Sequence, residues 1–236
     1  MALPFFYLSA YEPSSTELTL DEDNSRHIVQ VLRMQPGERL QLTDGKGALL
    51  TAVIIDDHKK KCRVRVESSY TQPAPKRKVT IAISPVKNAS RFEWFLEKAT
   101  EIGVSQIIPL LCERTEKQHT RTDRLRNILV SAMLQSQQTW LPELPDPLPI
   151  AGLLANPPCE ERFIAHCLEA PKPTHSLARL PETQTSRLIL IGPEGDFSPK
   201  EIESALNKGF IPVTLGDHRL RTETAGVVAA TLLCIA

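Results

Sequence analysis

A basic segment with two prolines, residues 72–78, separates two stretches of the chain that have different hydrophobic patterns. Prolines at this density suit neither a helix interior nor a central strand, so we expect the segment to be a connection. Residues 40–66 before it alternate apolar and polar side chains around a short glycine turn, which predicts a small antiparallel β unit. We therefore place the domain boundary in this segment and predict one domain at 1–72 and a second at 73–236.

The residues after this boundary follow the order of an α/β domain. Apolar runs at 79–83 and 104–111 lie on either side of a helical pattern at 91–102, which is a β-α-β sequence. Ser90 and Glu93, at the start of that helix, fit a capping box. Further apolar runs alternate with helix signals, which predicts a largely parallel sheet followed by a final apolar helix. Two other helices are predicted, one at 122–138 and one that contains Ile28, Val31 and Leu32 at helical spacing.

Charge and cysteine usage narrow the class of protein. The 28 Lys and Arg residues equal the 28 Asp and Glu residues, so the net charge gives no general attraction to nucleic acid or to membranes. The five cysteines show neither a C-x-x-C pair nor metal-ligand spacing. The sequence contains no signal peptide pattern and no long apolar run. We expect a cytoplasmic protein with reduced thiols that binds neither a metal nor a membrane.

One local basic patch lies near the domain boundary. Eight Lys and Arg residues occur between residues 59 and 78, and Glu67 is the only acid among them. Such a patch could bind a polyanion through phosphate contacts. A solvated strand face followed by a linker explains the same charges equally well.

Two glycine-bearing turns follow apolar runs in the second part of the chain. Ligands of parallel α/β sheets bind beyond the carboxyl ends of strands, so these turns are the first places to look for a site. In the first turn, glycines at 192 and 195 let the backbone approach a ligand, and Pro193 stiffens the loop. Ser198 and Glu201 are predicted to cap the next helix. On the residues alone, a tight connection with an exposed carboxylate is the better supported explanation of this turn.

The second turn starts at Leu215 and Gly216 and leads into the final helix. Arg221 and Glu223 lie beside the helix start, where backbone N–H groups and the helix dipole favour an anion. The alternative is that Thr222 caps the helix and Glu223 complements the dipole. Neither turn matches a dinucleotide-binding or Walker motif.

Several segments, in order over nearly the whole chain, carry a much more specific resemblance. They are residues 27–34, 36–37, 97–104, 109–110, 113–114, 190–195, 215–216 and 220–225. With these segments the sequence resembles the RsmE family, which are 16S ribosomal RNA uridine N3-methyltransferases of the SPOUT superfamily.

This resemblance implies a fold, a cofactor and partners. The fold is an N-terminal PUA-like β-barrel followed by a SPOUT α/β domain with a C-terminal trefoil knot. The cofactor is S-adenosyl-L-methionine, and the partners are 16S rRNA of the small ribosomal subunit and a second copy of the chain that completes each active site. The cofactor-binding residues implied are Leu190, Ile191, Gly192, Pro193, Gly195, Leu215, Gly216 and Leu220. The residues expected to bind RNA are Arg26, Arg33, Lys59, Lys60, Lys61, Arg63 and Arg65.

Methylation of uracil N3 needs a group that removes the N3 proton and a group that stabilises the charge left behind. We expect Arg221 to stabilise charge on the uracil carbonyls and either Glu223 or Glu194 to accept the proton. His166 is a weaker candidate. Two other functions stay open, a SPOUT methyltransferase that acts on another RNA position and a non-catalytic RNA-binding assembly factor.

The sequence departs from the family pattern at a few positions. Asp196 replaces the glycine expected after Gly195, and residues 217–219 differ from the Pro-Arg-aliphatic run expected before Leu220. In the long predicted helix, the Gln-Ser pair at 135–136 lacks the Glu that the family pattern has before it and the Gly-Arg that the pattern has after it. Because the cofactor turns and the Arg-Thr-Glu-Thr segment are intact, we retain the enzymatic interpretation.

Overall fold

The computed structural model describes residues 3–116, 121–167, 175–179 and 185–235, and the chain divides into two compact units. The first unit contains Met1–Ala74 and Met133–Leu141, and the second contains Pro75–Ala132 and Pro142–Ala236. Two separate segments of the chain therefore form the first unit. The hydrophobic pattern gives no sign of this, because periodicity reports the face that a segment buries and not the unit that buries it.

A five-stranded sheet forms most of the first unit. Its order is β1-β3-β4-β5-β2, in which β1 pairs with β3 in parallel and the other pairs are antiparallel. Alternate residues of β4 are buried, as the sequence pattern predicts. The strands are β1 (Phe5–Tyr7), β2 (Glu17–Thr19), β3 (Arg39–Thr43), β4 (Ala48–Asp56) and β5 (Arg63–Thr71).

The predicted helix around Ile28 is not one regular helix. A short α1 (Glu22–Arg26) continues directly into a π-helical turn, His27–Val31. Ile28 is fully buried, but Val31 is 65% exposed and Leu32 is 43% exposed. The wider hydrogen-bonded ring of the π turn changes the angle between successive side chains, so the three apolar residues do not share one buried face.

The second unit contains a seven-stranded sheet in which every pair is parallel, with the order β10-β12-β9-β11-β6-β7-β8. All residues of the adjacent strands β6 and β11 are buried, which is typical of a parallel sheet covered on both faces. The strands are β6 (Val79–Ile83), β7 (Gln106–Leu111), β8 (Leu148–Pro149), β9 (Glu161–Ala165), β10 (His175–Ser176), β11 (Arg187–Ile191) and β12 (Ile211–Thr214).

Five α-helices and a 3₁₀ turn at Leu177–Arg179 follow the first strand of this sheet in the described part of the chain. They are α2 (Ala89–Ile102), α3 (Thr122–Gln135), α4 (Ile150–Ala155), α5 (Pro199–Asn207) and α6 (Thr222–Cys234). Helix α3 ends three residues before the predicted position, because Gln137 has a left-handed φ of 55° that a helix cannot continue through.

Helix α2 is capped by Asn88, so the capping box predicted from Ser90 and Glu93 is wrong. The Asn88 side chain accepts a hydrogen bond from the Ser90 N–H at 3.0 Å. With Asn88 as the N-cap, Arg91 occupies the third helical position and Glu93 lies too far along to reach back. The Glu93 carboxylate instead pairs with the Arg124 guanidinium at 2.7 and 2.8 Å.

Helix α6 packs against α2 and β6, and Gly226 is the residue that permits it. A Cβ atom at Gly226 would lie 2.6 Å from Phe95 Cε2 and 2.7 Å from Ile83 Cδ1. The helix therefore approaches the sheet more closely than any larger residue would allow. In the described residues, no helix is both long enough and apolar enough to cross a bilayer.

Candidate functional site

Three loops of the second unit leave neighbouring strands at one edge of the sheet. Strands β12, β9 and β11 lie side by side and run parallel, so the loops after Thr214, Ala165 and Ile191 begin at the same edge. Ligands of parallel sheets bind at this edge. Strand β9 therefore ends between the two glycine turns found in the sequence.

The first turn, after β11, is held by the residue pair 113–114 that follows β7. Arg114 Nη1 donates to the Gly195 carbonyl at 2.7 Å, and the Glu113 N–H donates to Glu201 Oε1 at 2.8 Å. The other Glu201 oxygen accepts from the Ser198 N–H at 2.8 Å, so the predicted capping role of Glu201 is confirmed. These bonds fix the backbone around Gly195 from outside the turn.

The second turn, after β12, is joined directly to the first. Thr222 Oγ1 donates to the Gly192 carbonyl at 3.1 Å. Arg221 is the N-cap residue of α6, so the alternative in which Thr222 caps the helix is wrong. Gly216 has a φ of 130°, and a Cβ there would meet no described atom within 4 Å. The turn thus exposes bare backbone to open space.

Arg221 and Glu223 line one depression of about 600 Å³ in the second unit. The Glu223 side chain is only 9% exposed, and its Oε1 lies 3.8 Å from Arg91 Nε. Trp94 is 44% exposed and adds an aromatic surface. Three arginines, one carboxylate and an indole are groups that can bind a planar ligand with negative charge. The lining residues are Ser90, Arg91, Trp94, Arg219, Leu220, Arg221, Glu223 and Thr224.

Glu194 lies outside this lining set. Its Oε1 accepts a hydrogen bond from the Lys87 N–H at 3.0 Å, which ties the first turn to the loop after β6. Both ring nitrogens of His166, directly after β9, are buried and have no hydrogen-bond partner in the described residues. Buried polar atoms normally have partners, so a polar ligand at this edge would satisfy them.

These loops suit S-adenosyl-L-methionine as a ligand. Bare backbone at Gly216 adjoins open space, and the His166 nitrogens offer donors or acceptors for a polar molecule. Of the residues expected to hold the cofactor, Leu190 and Ile191 end strand β11 and are buried, and Gly192 and Pro193 are buried as well. Gly195, Leu215, Gly216 and Leu220 lie in the two turns and are exposed or half-buried.

The thiols and carboxylates of the described residues form no metal-binding cluster. The described residues contain no cluster of three His, Cys, Asp or Glu side chains that could hold an ion, and all five cysteines are free. Burial raises the pKa of Cys62 to about 11 and the pKa values of Cys112 and Cys234 to about 12. Cys167, beside His166, is exposed.

Several of the predicted RNA-binding residues in the first unit are paired with acids. Glu17 on β2 accepts from Arg63 at 2.7 Å and from Arg65 at 3.3 Å, and these two guanidinium groups lower its pKa. Glu22 pairs with Arg26 at 3.1 Å and with Lys60 at 3.3 Å. The basic patch is thus less positive than the sequence suggests, because the acids come from a distant part of the chain. The other predicted residues are exposed and make no ion pair in the described structure: Arg33, Lys59 and Lys61.

Comparison with known proteins decides the family. A sequence model of the RNA methyltransferase domain matches residues 72–234, and one of the RNA methyltransferase PUA domain matches residues 20–67. The ribosomal RNA small subunit methyltransferase E of Synechocystis is 31% identical over 218 residues, which cover 90% of this chain and 71% of that protein. The chain belongs to the ribosomal RNA small subunit methyltransferase E family.

Solved structures support the fold expected for this family. A probable rRNA-methyltransferase from Porphyromonas gingivalis is 42% identical, with a TM-score of 0.90 over 99% of this chain and 100% of that one. A ribosomal RNA small subunit methyltransferase E from Neisseria gonorrhoeae, bound to S-adenosyl methionine, is 28% identical, with a TM-score of 0.86 over 98% and 96%. The predicted PUA-like unit followed by an α/β methyltransferase domain is confirmed, and the trefoil knot stays a prediction.

Sequence reasoning did not predict five of the eight lining residues as site residues, which are Ser90, Arg91, Trp94, Arg219 and Thr224. Arg91 and Trp94 are three positions apart, which places them on one face of α2. That spacing was the available signal. It could not show that this face borders the turn before α6, which is more than 120 residues later.

Proposed function

We propose that this chain transfers a methyl group from S-adenosyl-L-methionine to N3 of a specific uridine in 16S rRNA of the small ribosomal subunit. The observation that carries the proposal is the placement of Arg221 and Glu223 in one depression next to the cofactor turns. Membership of a ribosomal RNA methyltransferase family supports the reaction class.

The cofactor supplies a methyl group that is already activated by the positive sulfur. The chain itself must hold the uracil in line with that group and remove the N3 proton. Because N3 lies on the base-pairing edge, the uridine has to be unpaired or turned out of its helix. Exposed Trp94 offers a ring face against which such a base can stack.

Arg221 and Glu223 are suited to the two remaining tasks. Arg221 is an exposed cation at the N-terminal end of α6, where it can stabilise negative charge on the uracil oxygens. Glu223 lines the same depression, and its carboxylate can take the N3 proton. Glu194 fits this role less well, because it lies outside the lining of that depression.

The assembly is part of the same proposal. We infer a homodimer in which each copy completes the other's site, acting in the cytoplasm on 16S rRNA. The first unit holds the RNA through the residues named from the sequence, and the second performs the transfer.

The base and its position are tested directly on the RNA. Mass spectrometry of 16S rRNA from cells with and without the gene should show one N3-methyluridine that is lost without it and restored by the purified chain with the cofactor. A methyl group on ribose or on another base would contradict the N3 assignment. Absence of cofactor binding by calorimetry would favour the assembly factor.

The roles of the two side chains predict a loss of turnover with RNA binding retained. Glu223→Gln should lower kcat by about 10²–10⁴-fold, the usual effect of removing a general base, and Arg221→Ala by about 10²–10³-fold. Both effects should persist at saturating RNA, because the groups act mainly in the transition state. Single-turnover methylation and filter binding measure the two quantities.

Two surface variants of the same chemical kind serve as controls. Arg126→Ala on α3 and Glu203→Gln on α5 change exposed residues outside the depression and should leave kcat within twofold of the native value. If Arg221→Ala weakened RNA binding and kept full turnover, Arg221 would be a binding residue and the proposed role would be wrong.

A further inference from the structure

Asp196 has a left-handed backbone conformation, which aspartate adopts less readily than glycine. Its φ is 64°, in the left-handed region that glycine favours. The family resemblance predicts a glycine at this position, directly after Gly195. Aspartate is tolerated in left-handed conformations when its short carboxylate makes local hydrogen bonds.

The Asp196 carboxylate makes two such bonds, and they reach different loops. Oδ1 accepts from the Phe197 N–H at 2.8 Å, within the turn that follows β11. Oδ2 accepts from the Cys167 N–H at 2.9 Å, in the loop that follows β9. One side chain therefore joins the ends of two neighbouring strands at the edge of the sheet where the cofactor turns lie.

The residue held by this bond adjoins the unpartnered histidine. Cys167 directly follows His166, whose buried ring nitrogens have no hydrogen-bond partner in the described residues. Fixing the Cys167 N–H limits how far His166 can move. A glycine at position 196 could adopt the same φ, but it has no side chain to accept hydrogen bonds from the Cys167 and Phe197 N–H groups.

We propose that Asp196 is a positioning residue that holds His166 and Cys167, directly after β9, against the turn after β11 and so pre-forms the cofactor site. This rests on the proposed function only in naming the cofactor as the ligand. Pre-forming a loop raises affinity by lowering the ordering cost of binding. Asp196 does not line the depression of Arg221 and Glu223, so it acts on cofactor binding and leaves the transfer step unchanged.

Three substitutions separate the hydrogen bonds from the backbone conformation. Asp196→Gly keeps the φ and loses both bonds, Asp196→Ala also strains the backbone, and Asp196→Asn keeps one acceptor oxygen. We expect Asp196→Gly to raise KM and Kd for S-adenosyl-L-methionine by about tenfold with kcat within twofold, and Asp196→Asn to recover part of the affinity. Asp146→Gly, at an exposed loop position in the same unit, is the control and should change neither.

The two hydrogen bonds that the Asp196 carboxylate accepts, here called the clamp, can also be tested without any ligand. In the free chain, Asp196→Gly should speed hydrogen exchange of the Cys167 amide and alkylation of its thiol. The other thiols interfere little, because burial raises the pKa of three of them, which lowers their reactive thiolate fraction, and Cys159 is buried. In the native chain the cofactor should slow alkylation of Cys167.

Unchanged exchange of the Cys167 amide in both Asp196→Gly and Asp196→Asn would overturn the clamp, whatever the cofactor does. A fall in kcat with unchanged KM would also overturn it, because Asp196 would then act on the chemistry. If the native chain bound no S-adenosyl-L-methionine, the proposed function would fail, while the exchange result would still decide the clamp.

Discussion

Gly216 and Gly195 lie in the two turns that we propose hold the cofactor, and of the two only Gly216 needs to be glycine for conformational reasons. Gly216 has a φ of 130°, which L-residues rarely adopt. Gly195 has an ordinary φ, and a Cβ there would make a normal contact with Arg114 Cδ at 3.4 Å. Substitution of Gly216 therefore tests backbone strain, whereas substitution of Gly195 tests the space that a ligand would need.

Alanine at these two sites should give different results. Gly216→Ala should cost on the order of 1–3 kcal/mol of stability and lower the melting temperature by about 2–10 °C. Gly195→Ala should leave the melting temperature unchanged, whereas a bulky residue such as Gly195→Leu should weaken cofactor binding by steric exclusion. Thermal unfolding and calorimetry measure both effects. Full cofactor affinity in Gly195→Leu would remove Gly195 from the site.

At the scale of elements, one side of α6 is only partly covered by the described residues of the single chain. Ala229 and Leu233 are buried, whereas Val228 and Leu232 are half-buried and Ile235 is 70% exposed. The last three are spaced four and three residues apart, so they form one stripe. An apolar stripe of this kind is stable in water when another surface covers it.

This stripe predicts a dimer that one substitution can break. Light scattering at micromolar concentration should give twice the 26.3 kDa mass of one chain. Leu232→Glu should give a monomer, because a carboxylate in an apolar interface loses its hydration without a partner. Ile211→Glu, at a strand residue that is 39% exposed, makes the same chemical change elsewhere and should stay dimeric. A monomeric native chain would contradict the homodimer.

For the whole molecule, the two units are expected to divide RNA binding from catalysis. The summed charge is zero, so affinity for RNA must come from local cations. In the first unit, Glu17 pairs with Arg63 and Arg65, so a phosphate group would have to compete with this carboxylate for them. Charge count alone therefore overestimates the contribution of these arginines.

This competition predicts that two kinds of substitution change RNA affinity in opposite directions. Joint replacement of Arg33, Lys59 and Lys61 by alanine should weaken RNA binding and reduce the salt slope by up to about 2–3, nearly one per lost phosphate contact. Glu17→Gln should instead tighten RNA binding, because it releases two guanidinium groups. Cofactor affinity should be unchanged in both variants. Titrations at several salt concentrations measure this, and unaltered RNA binding in both variants would refute a role of the first unit in binding.

The sequence by itself determined the class of fold and where the two glycine turns lie along the chain. Hydrophobic periodicity reports which face a segment buries, so it predicted the β unit and the β-α-β order that follows. Turn and capping chemistry acts over a few residues, so the glycine turns and the Glu201 cap could be predicted. The family segments added the cofactor and the reaction.

Only the tertiary structure decided which distant residues meet. The order of the parallel strands brings the loop after β9 between the two glycine turns, and so lets Asp196 bind the Cys167 N–H across 29 residues. The same holds for Arg91 beside Glu223 and for Glu17 opposite Arg63 and Arg65. Local patterns carry no information about such pairs, because strand order and register depend on how the whole sheet packs.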